Sequence, residues 1–162
     1  MSPHWYPILA LLCLILVANA VPALIALLRG GNARPVDGGL ILRDGHRLLG
    51  SSKTWRGLVW ALVLTPLAAP ILGLPWTQGL HVAAAAMAGD LGASFIKRRL
   101  GLPSGAGVPG LDQVPESLLP ALLAKGPMGL AWLDLVMAVS AFTLLDLILT
   151  PLARRLGHRR SV

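Results

Sequence analysis

Two uncharged stretches constrain this chain more than anything else in it. Tyr6 to Leu28 runs 23 residues without a charged side chain, and Gly57 to Gly89 runs 33. At about 1.5 Å of helix rise per residue, roughly 20 apolar residues cross a bilayer core about 30 Å thick. The first stretch is therefore one span, and the second is too long for one. Within the second, Leu74-Pro75-Trp76-Thr77-Gln78-Gly79 carries turn chemistry that divides it into helices over about 57–74 and 79–100. Composition agrees, with 55% of the residues hydrophobic and 13% charged, against about 25% charged in water-soluble domains. Soluble, disordered and collagen-like chains are excluded. No Lys or Arg precedes Tyr6, so the first stretch lacks the basic leader of a signal peptide and reads as a retained helix over 6–28.

Met128 to Leu152 is long enough for another helix, although Asp134 and Asp146 lie inside it. Between the third and last helices, Gln113 to Ala124 is apolar but short and carries Pro115 and Pro120, so hydropathy alone barely supports a helix over 113–125. Charge supports it better. With five spans and the N-terminus outside, the loop 29–56 holds Arg29, Arg34, Arg43, Arg47, Lys53 and Arg56. Lys97, Arg98 and Arg99 lead into the loop 101–112, and the tail 153–162 holds Arg154, Arg155, Arg159 and Arg160. Thirteen of the 14 Lys and Arg then face the cytoplasm, leaving only Lys125 outside, as the positive-inside rule requires. Removing the short helix would place the basic tail outside. Trp5, Tyr6, Trp76 and Trp132 fall near the outer interface, and Trp55 and Trp60 near the inner one.

The sequence thus predicts an all-α integral membrane protein with five transmembrane helices, N-terminus outside and C-terminus cytoplasmic. It is multi-pass in the cell membrane, with a polar cavity open to the cytosol. The net charge of +7 comes from loops flanking the bilayer and describes no nucleic-acid surface. Cys13 stands alone in the first apolar run, so neither a disulfide framework nor a cysteine metal site is available. The basic tail reads as an anionic-lipid contact.

Charge inside a span needs explaining. Asp90 ends the apolar run His81-Val82-Ala83-Ala84-Ala85-Ala86-Met87-Ala88-Gly89, about 10 Å deeper than Lys97 by helix rise. A carboxylate there costs several kcal/mol (on the order of 2–4) unless it is paired or holds a cation. Asp90, Ser94 and Lys97 are spaced i, i+4, i+7 and share a helix face, with Arg98 at its edge and Arg99 pointing away. An Asp90–Lys97 pair is the structural reading, and a polar cavity opening to the cytosol the functional one. The Gly- and Pro-rich loop after Leu102 leads Asp112 back to the membrane, where it is placed to N-cap the fourth helix or to meet Asp90 across a cation. Magnesium takes one or two carboxylates plus substrate phosphates. Lys53, Thr54 and Arg56, just before the second helix, are placed to hold phosphate oxygens at its N-terminus, although the spacing is not that of a P-loop. Asp146 lies eight residues before Arg154, near enough to the inner interface to pair with the tail, and Asp134 falls at the outer interface. His46 alone makes no zinc site.

Six short segments together resemble the CDP-archaeol synthase family, a short relative of the phosphatidate cytidylyltransferases. They are Asp37-Gly38-Gly39, Asp44-Gly45-His46-Arg47-Leu48-Leu49-Gly50, Lys53-Thr54-Trp55-Arg56-Gly57, Gly89-Asp90-Leu91, Ser94-Phe95-Ile96-Lys97-Arg98-Arg99 and Leu111-Asp112-Gln113, in the family's order over about residues 1–150. The resemblance implies transfer of CMP from CTP to 2,3-digeranylgeranylglyceryl phosphate with release of pyrophosphate, magnesium as cofactor, and five helices around a cytosol-facing polar cavity. Carried over by position, Asp90 and Asp112 fall at the acidic metal-binding places, and Lys97 joins them as catalytic. Ser94 and Arg98 belong with Lys97 to a Ser-x-x-Lys-Arg element. Lys53, Thr54 and Arg56, with Asp37, Gly38 and Gly39, fall in nucleotide- and phosphate-binding segments. The longer phosphatidate enzymes carry a further Asp three residues after the place of Asp112. Here that place is Pro115, and Glu116 stands one residue beyond it.

Transfer of a nucleotidyl group needs the attacking phosphate oxygen and the leaving pyrophosphate held in line with their charge neutralised. A lipid phosphate is already ionised near neutral pH, so no strong general base is needed, and none is evident. Two other enzyme readings use similar parts: a phosphatidate cytidylyltransferase acting on acyl lipids, and a CTP-dependent polyprenol kinase releasing CDP. A non-catalytic lipid or ion carrier fits least, because the chain has no internal repeat and its polar residues gather at one membrane face.

Overall fold

The computed structural model describes residues 4–29 and 33–158. They form α1 (Trp5–Arg29), α2 (Trp55–Ala68), α3 (Trp76–Arg99), α4 (Gln113–Ala124) and α5 (Trp132–His158), with a 3-10 turn at Pro70–Leu72. No strand occurs among the described residues, and isolated bridges Pro35–Thr54 and Ile41–Arg47 fasten the long first loop. Four helical segments are long and apolar enough to cross a membrane: α1, α2 with its 3-10 extension, α3 and α5. Helix α4 has 12 residues and reaches only about 18 Å. It stops because Gly129 takes a left-handed φ of 63° and the Leu130 amide bonds back to Lys125 carbonyl, closing the helix end. Helix α5 consequently starts at Trp132, later than the expected 128, and continues past Pro151.

Close approach between helices rests on glycine. A Cβ at Gly79 would lie 2.7 Å from Pro66 Cα on α2, and one at Gly89 would lie 2.2 Å from the Pro115 carbonyl oxygen on α4. Backbones packed this closely are the usual means of holding helices together in lipid. Leu11, Leu14 and Ile15 of α1, Val82 of α3, Ala121 of α4 and Phe142 of α5 form the buried core between them.

One end of the bundle is clasped by polar contacts. Asp134, expected at the outer interface, is 1% exposed. It accepts hydrogen bonds from the Ala131 amide (2.8 Å), the His4 amide (3.2 Å) and His4 Nδ1 (2.9 Å). The carboxylate is buried because it caps the first turn of α5 and ties it to the start of α1. Tyr6 donates to the Leu72 carbonyl (2.5 Å) and Gln78 to the Pro127 carbonyl (3.3 Å). The starts of α1, α3 and α5 and the ends of α2 and α4 therefore share this end, and the loops 33–54 and 100–112 lie at the other. The side chains of Arg154 and Arg155 and residues Arg159 and Arg160 lie outside the described residues, and with them the proposed lipid contact of the tail and its pairing with Asp146.

Candidate active site

At the loop end the helices part around a cavity of about 630 Å³. Its floor comes from α1 and α3, one wall from the start of α2, another from α4 and α5, and its rim from the two loops. Thr54 sets the α2 wall: its extended backbone ends the loop, and its hydroxyl oxygen accepts from the Gly57 amide (3.3 Å), capping α2. That cap fixes Lys53 on one side of Thr54 and Arg56 on the other, both lining the cavity. The Arg56 guanidinium has no hydrogen bond or ion pair within the described residues.

The two aspartates each hold a lysine. Lys53 Nζ pairs with Asp90 Oδ1, and Lys97 Nζ pairs with Asp112 Oδ1 at 2.6 Å. This corrects the pairing suggested by spacing along α3, where Lys97 was the partner of Asp90. Lys97 lies two turns nearer the loop, buried, and also donates to the Ala106 carbonyl (2.9 Å). Asp112 stands at the N-cap position of α4 but makes no side-chain cap bond; its second oxygen accepts from the Val108 amide (2.9 Å). Ser94 is buried in the cavity wall. Arg98, also buried, donates to the Pro103 carbonyl (2.8 Å) and so shapes the rim.

Asp37, Gly38 and Gly39 do not line the cavity. The Asp37 carboxylate accepts from the amides of Gly39 (3.0 Å), Leu49 (3.1 Å) and Gly50 (2.9 Å) and from Arg47 (2.7 Å). Burial alone would push this carboxyl up, but Arg47 and the three amides outweigh it and hold it well below the usual carboxylate range. Its lone pairs are consumed inside the loop, so it folds the segment that presents Gly50 to Lys53 instead of meeting a ligand. Ser104 then joins the two loops across the rim, bonding Ser51 Oγ (3.2 Å) and the Ser52 amide (3.3 Å). Arg99, facing away from the cavity, pairs with Asp44 and donates to the carbonyl of Arg47 (2.6 Å), pinning the same loop from outside.

Five further polar residues line the cavity: Asn19, Gln113, Glu116, Asp146 and Thr150. Glu116 lines the cavity with Asp90, Lys53 and Asp146 as its charged neighbours. Asp146 accepts from Gln113 Nε2 (2.8 Å) and from the Thr150 hydroxyl (2.8 Å). Asn19 enters from α1, bonding back to the Ile15 carbonyl (3.0 Å). Its signal in the sequence was available: it is the lone amide side chain in the first uncharged run. By helix rise it sits 14 residues along α1, as Asp90 sits 14 along α3, so the two reach the same depth. The donor set for a cation is all oxygen, which suits a hard divalent ion. No three His, Cys, Asp or Glu side chains within the described residues are grouped to hold one unaided. An ion held here would need oxygens from a substrate to complete its shell.

Fold and site together define an integral-membrane enzyme whose charged cavity is cut into one end of a helix bundle. The chain belongs to the CarS-like CDP-archaeol synthase family, whose model matches residues 6–76 and 74–160. It is 36% identical to the CDP-archaeol synthase of Aeropyrum pernix over 153 residues, covering 90% of this chain and 84% of that one. It is 42% identical to the Halorubrum lacusprofundi CDP-archaeol synthase over 149 residues, covering 82% and 80%. Among solved structures, an intramembrane enzyme for archaeal membrane lipids biosynthesis superposes with a TM-score of 0.70 at 32% identity, over 85% of this chain and 90% of that chain.

Proposed function

We propose that this chain transfers CMP from CTP to a lipid phosphate of the 2,3-digeranylgeranylglyceryl type, yielding a CDP-lipid and pyrophosphate. The observation that carries the reading is the pair of ion pairs, Lys53–Asp90 and Lys97–Asp112, inside one cavity. Such a cavity offers cations to a triphosphate and carboxylates to its counterion from the same four side chains.

The chain's own residues divide the work by position. Lys53 and Arg56, beside the N-terminus of α2, take nonbridging oxygens of the triphosphate, where helix dipole and charge act together. Lys97 and Arg98 extend positive charge along the opposite wall and offset the repulsion between two anionic reactants. An oxygen of the lipid phosphate attacks the α-phosphorus as the bond to the β-phosphate oxygen breaks, and pyrophosphate leaves with that electron pair. Asp90 and Asp112 would hold magnesium, which when bound neutralises the triphosphate and the departing pyrophosphate. The α1 side of the cavity is largely apolar, with Pro22, Ala23, Ile25 and Ala26, and admits lipid tails sideways from the bilayer.

Orientation follows the same reading. Gln113 at the start of α4 meets Asp146 in the second half of α5, whereas Pro127 just past α4 meets Gln78 at the start of α3. The segment from Asp112 to Trp132 thus runs from one end of the bundle to the other, which supports five crossings although α4 is short. With the basic loops inside, the N-terminus is outside, and the site opens to the cytoplasm of the cell membrane. Radiolabelled CTP supplied with a panel of lipid phosphates tests the reaction. Label in lipid with stoichiometric pyrophosphate supports it; labelled CDP with a phosphorylated alcohol would replace it with the kinase reading.

A further inference from the structure

The two ion pairs have a thermodynamic consequence beyond the assignment of roles. Asp90 and Asp112, the two carboxylates proposed to hold the cation, are each already covered by an ammonium group, and Lys53 and Lys97 are each covered by a carboxylate. Asp90 is 17% and Lys53 22% exposed at the side chain, Asp112 18% and Lys97 8%, so both pairs sit where screening by water is weak. A free divalent cation entering alone must displace an ammonium that then has no counter-charge, and a free nucleotide must displace a carboxylate in the same way. Leaving one member of such a pair unpartnered is the costly outcome. Entering together, cation and triphosphate satisfy all four groups at once. The absence of three grouped metal-ligating side chains within the described residues adds that the protein alone cannot complete a coordination shell.

We infer that Lys53 and Lys97 withhold Asp90 and Asp112 from free divalent ions, so that the site takes the metal only as its nucleotide complex. This rests on the proposed cytidylyltransferase reading and deepens it. Lys53 is the more movable of the two: it comes from a loop and ends on α3, so it leaves the acid by a side-chain swing, whereas Lys97 is also fixed by the Ala106 carbonyl. Reciprocity requires that whatever factor CTP adds to magnesium affinity, magnesium adds to CTP affinity.

Isothermal titration of purified protein in detergent tests it with no lipid present and hence no turnover. Magnesium chloride is titrated into nucleotide-free protein, CTP into protein held in EDTA, and CTP into protein with saturating magnesium. Wild-type protein should bind each alone at least tenfold more weakly than in the presence of the other. Lys53→Gln should bind magnesium without nucleotide at least tenfold more tightly than wild type, while losing CTP affinity; Lys97→Gln, read the same way at Asp112, carries the test if Lys53→Gln does not fold. Stoichiometric uptake of magnesium by nucleotide-free wild type, or a folded lysine variant with no gain in magnesium binding, overturns the inference. Formation of labelled CDP-lipid by the wild-type protein is measured alongside, so that an inference that fails while turnover stands is distinguished from a site that never binds CTP.

Discussion

Asp37 and Asp90 are both carboxylates facing basic groups near the same membrane face, and the structure uses them in opposite ways. Asp37 accepts from three backbone amides and one arginine, all within the loop 33–54. Asp90 meets the tip of one flexible lysine and a neighbouring carboxyl group. A carboxylate saturated by fixed amides has no capacity left and no cheap way to exchange partners. One held by a lysine exchanges partners at the cost of a side-chain rotation. The difference separates scaffold from site better than charge or position in the sequence does.

The comparison breaks most sharply at the site. Asp90→Asn and Asp112→Asn should each lower CTP turnover by a hundredfold or more per molecule of folded protein, and the double variant should lose little more, because the two act as one unit. A cumulative loss in the double variant would separate their roles. Next, Lys97→Ala and Arg56→Ala each remove a charge-assisted contact of about 1.5–3 kcal/mol and should weaken CTP binding about tenfold or more, measured by titration in the presence of magnesium.

Asp37→Asn should show the reverse pattern, losing about 2 kcal/mol of stability in thermal unfolding with less than a tenfold change in turnover. The sign of its pH dependence is set by a carboxyl held below the usual range. Stability from Asp37 is fully present above about pH 4, the ordinary carboxylate value, and fades as pH falls below it. Protection of the Leu49 and Gly50 amides from hydrogen exchange should therefore hold from pH 7 to 4 and decline in more acid solution. Arg99→Ala should have the smallest effect, under threefold in turnover, since it pins the loop from outside. A large loss there would show that loop position itself controls the cavity.

Much of this was legible along the chain. Uncharged runs give helices because backbone groups in lipid must be satisfied within the segment, and Asp90 stood out because a carboxylate at that depth needs a partner. The identity of the partner was not legible. Lys53 is 37 residues away, and only the packing of α2 on α3 brings it nearer than Lys97, which shares a helix face with Asp90. The Asp37-Gly38-Gly39 turn was read as nucleotide-binding because a Gly-flanked Asp looks the same whether its oxygens bond the next amides or face a ligand. Whether Asp146 joins the site was left open by the sequence for a third reason. Its partner Gln113 lies on another helix, and no local spacing joins them.

The His4–Asp134 clasp joins residues 130 positions apart, and this orders assembly in time. A chain entering the membrane from its N-terminus has α1, α2 and α3 in place well before Asp134 is synthesised. Until then the α1 side of the cavity, including Asn19 and Pro22, lacks the α5 wall supplied by Asp146 and Leu147. A chain without α5 would present the lysines and aspartates of the site without that wall of the chamber.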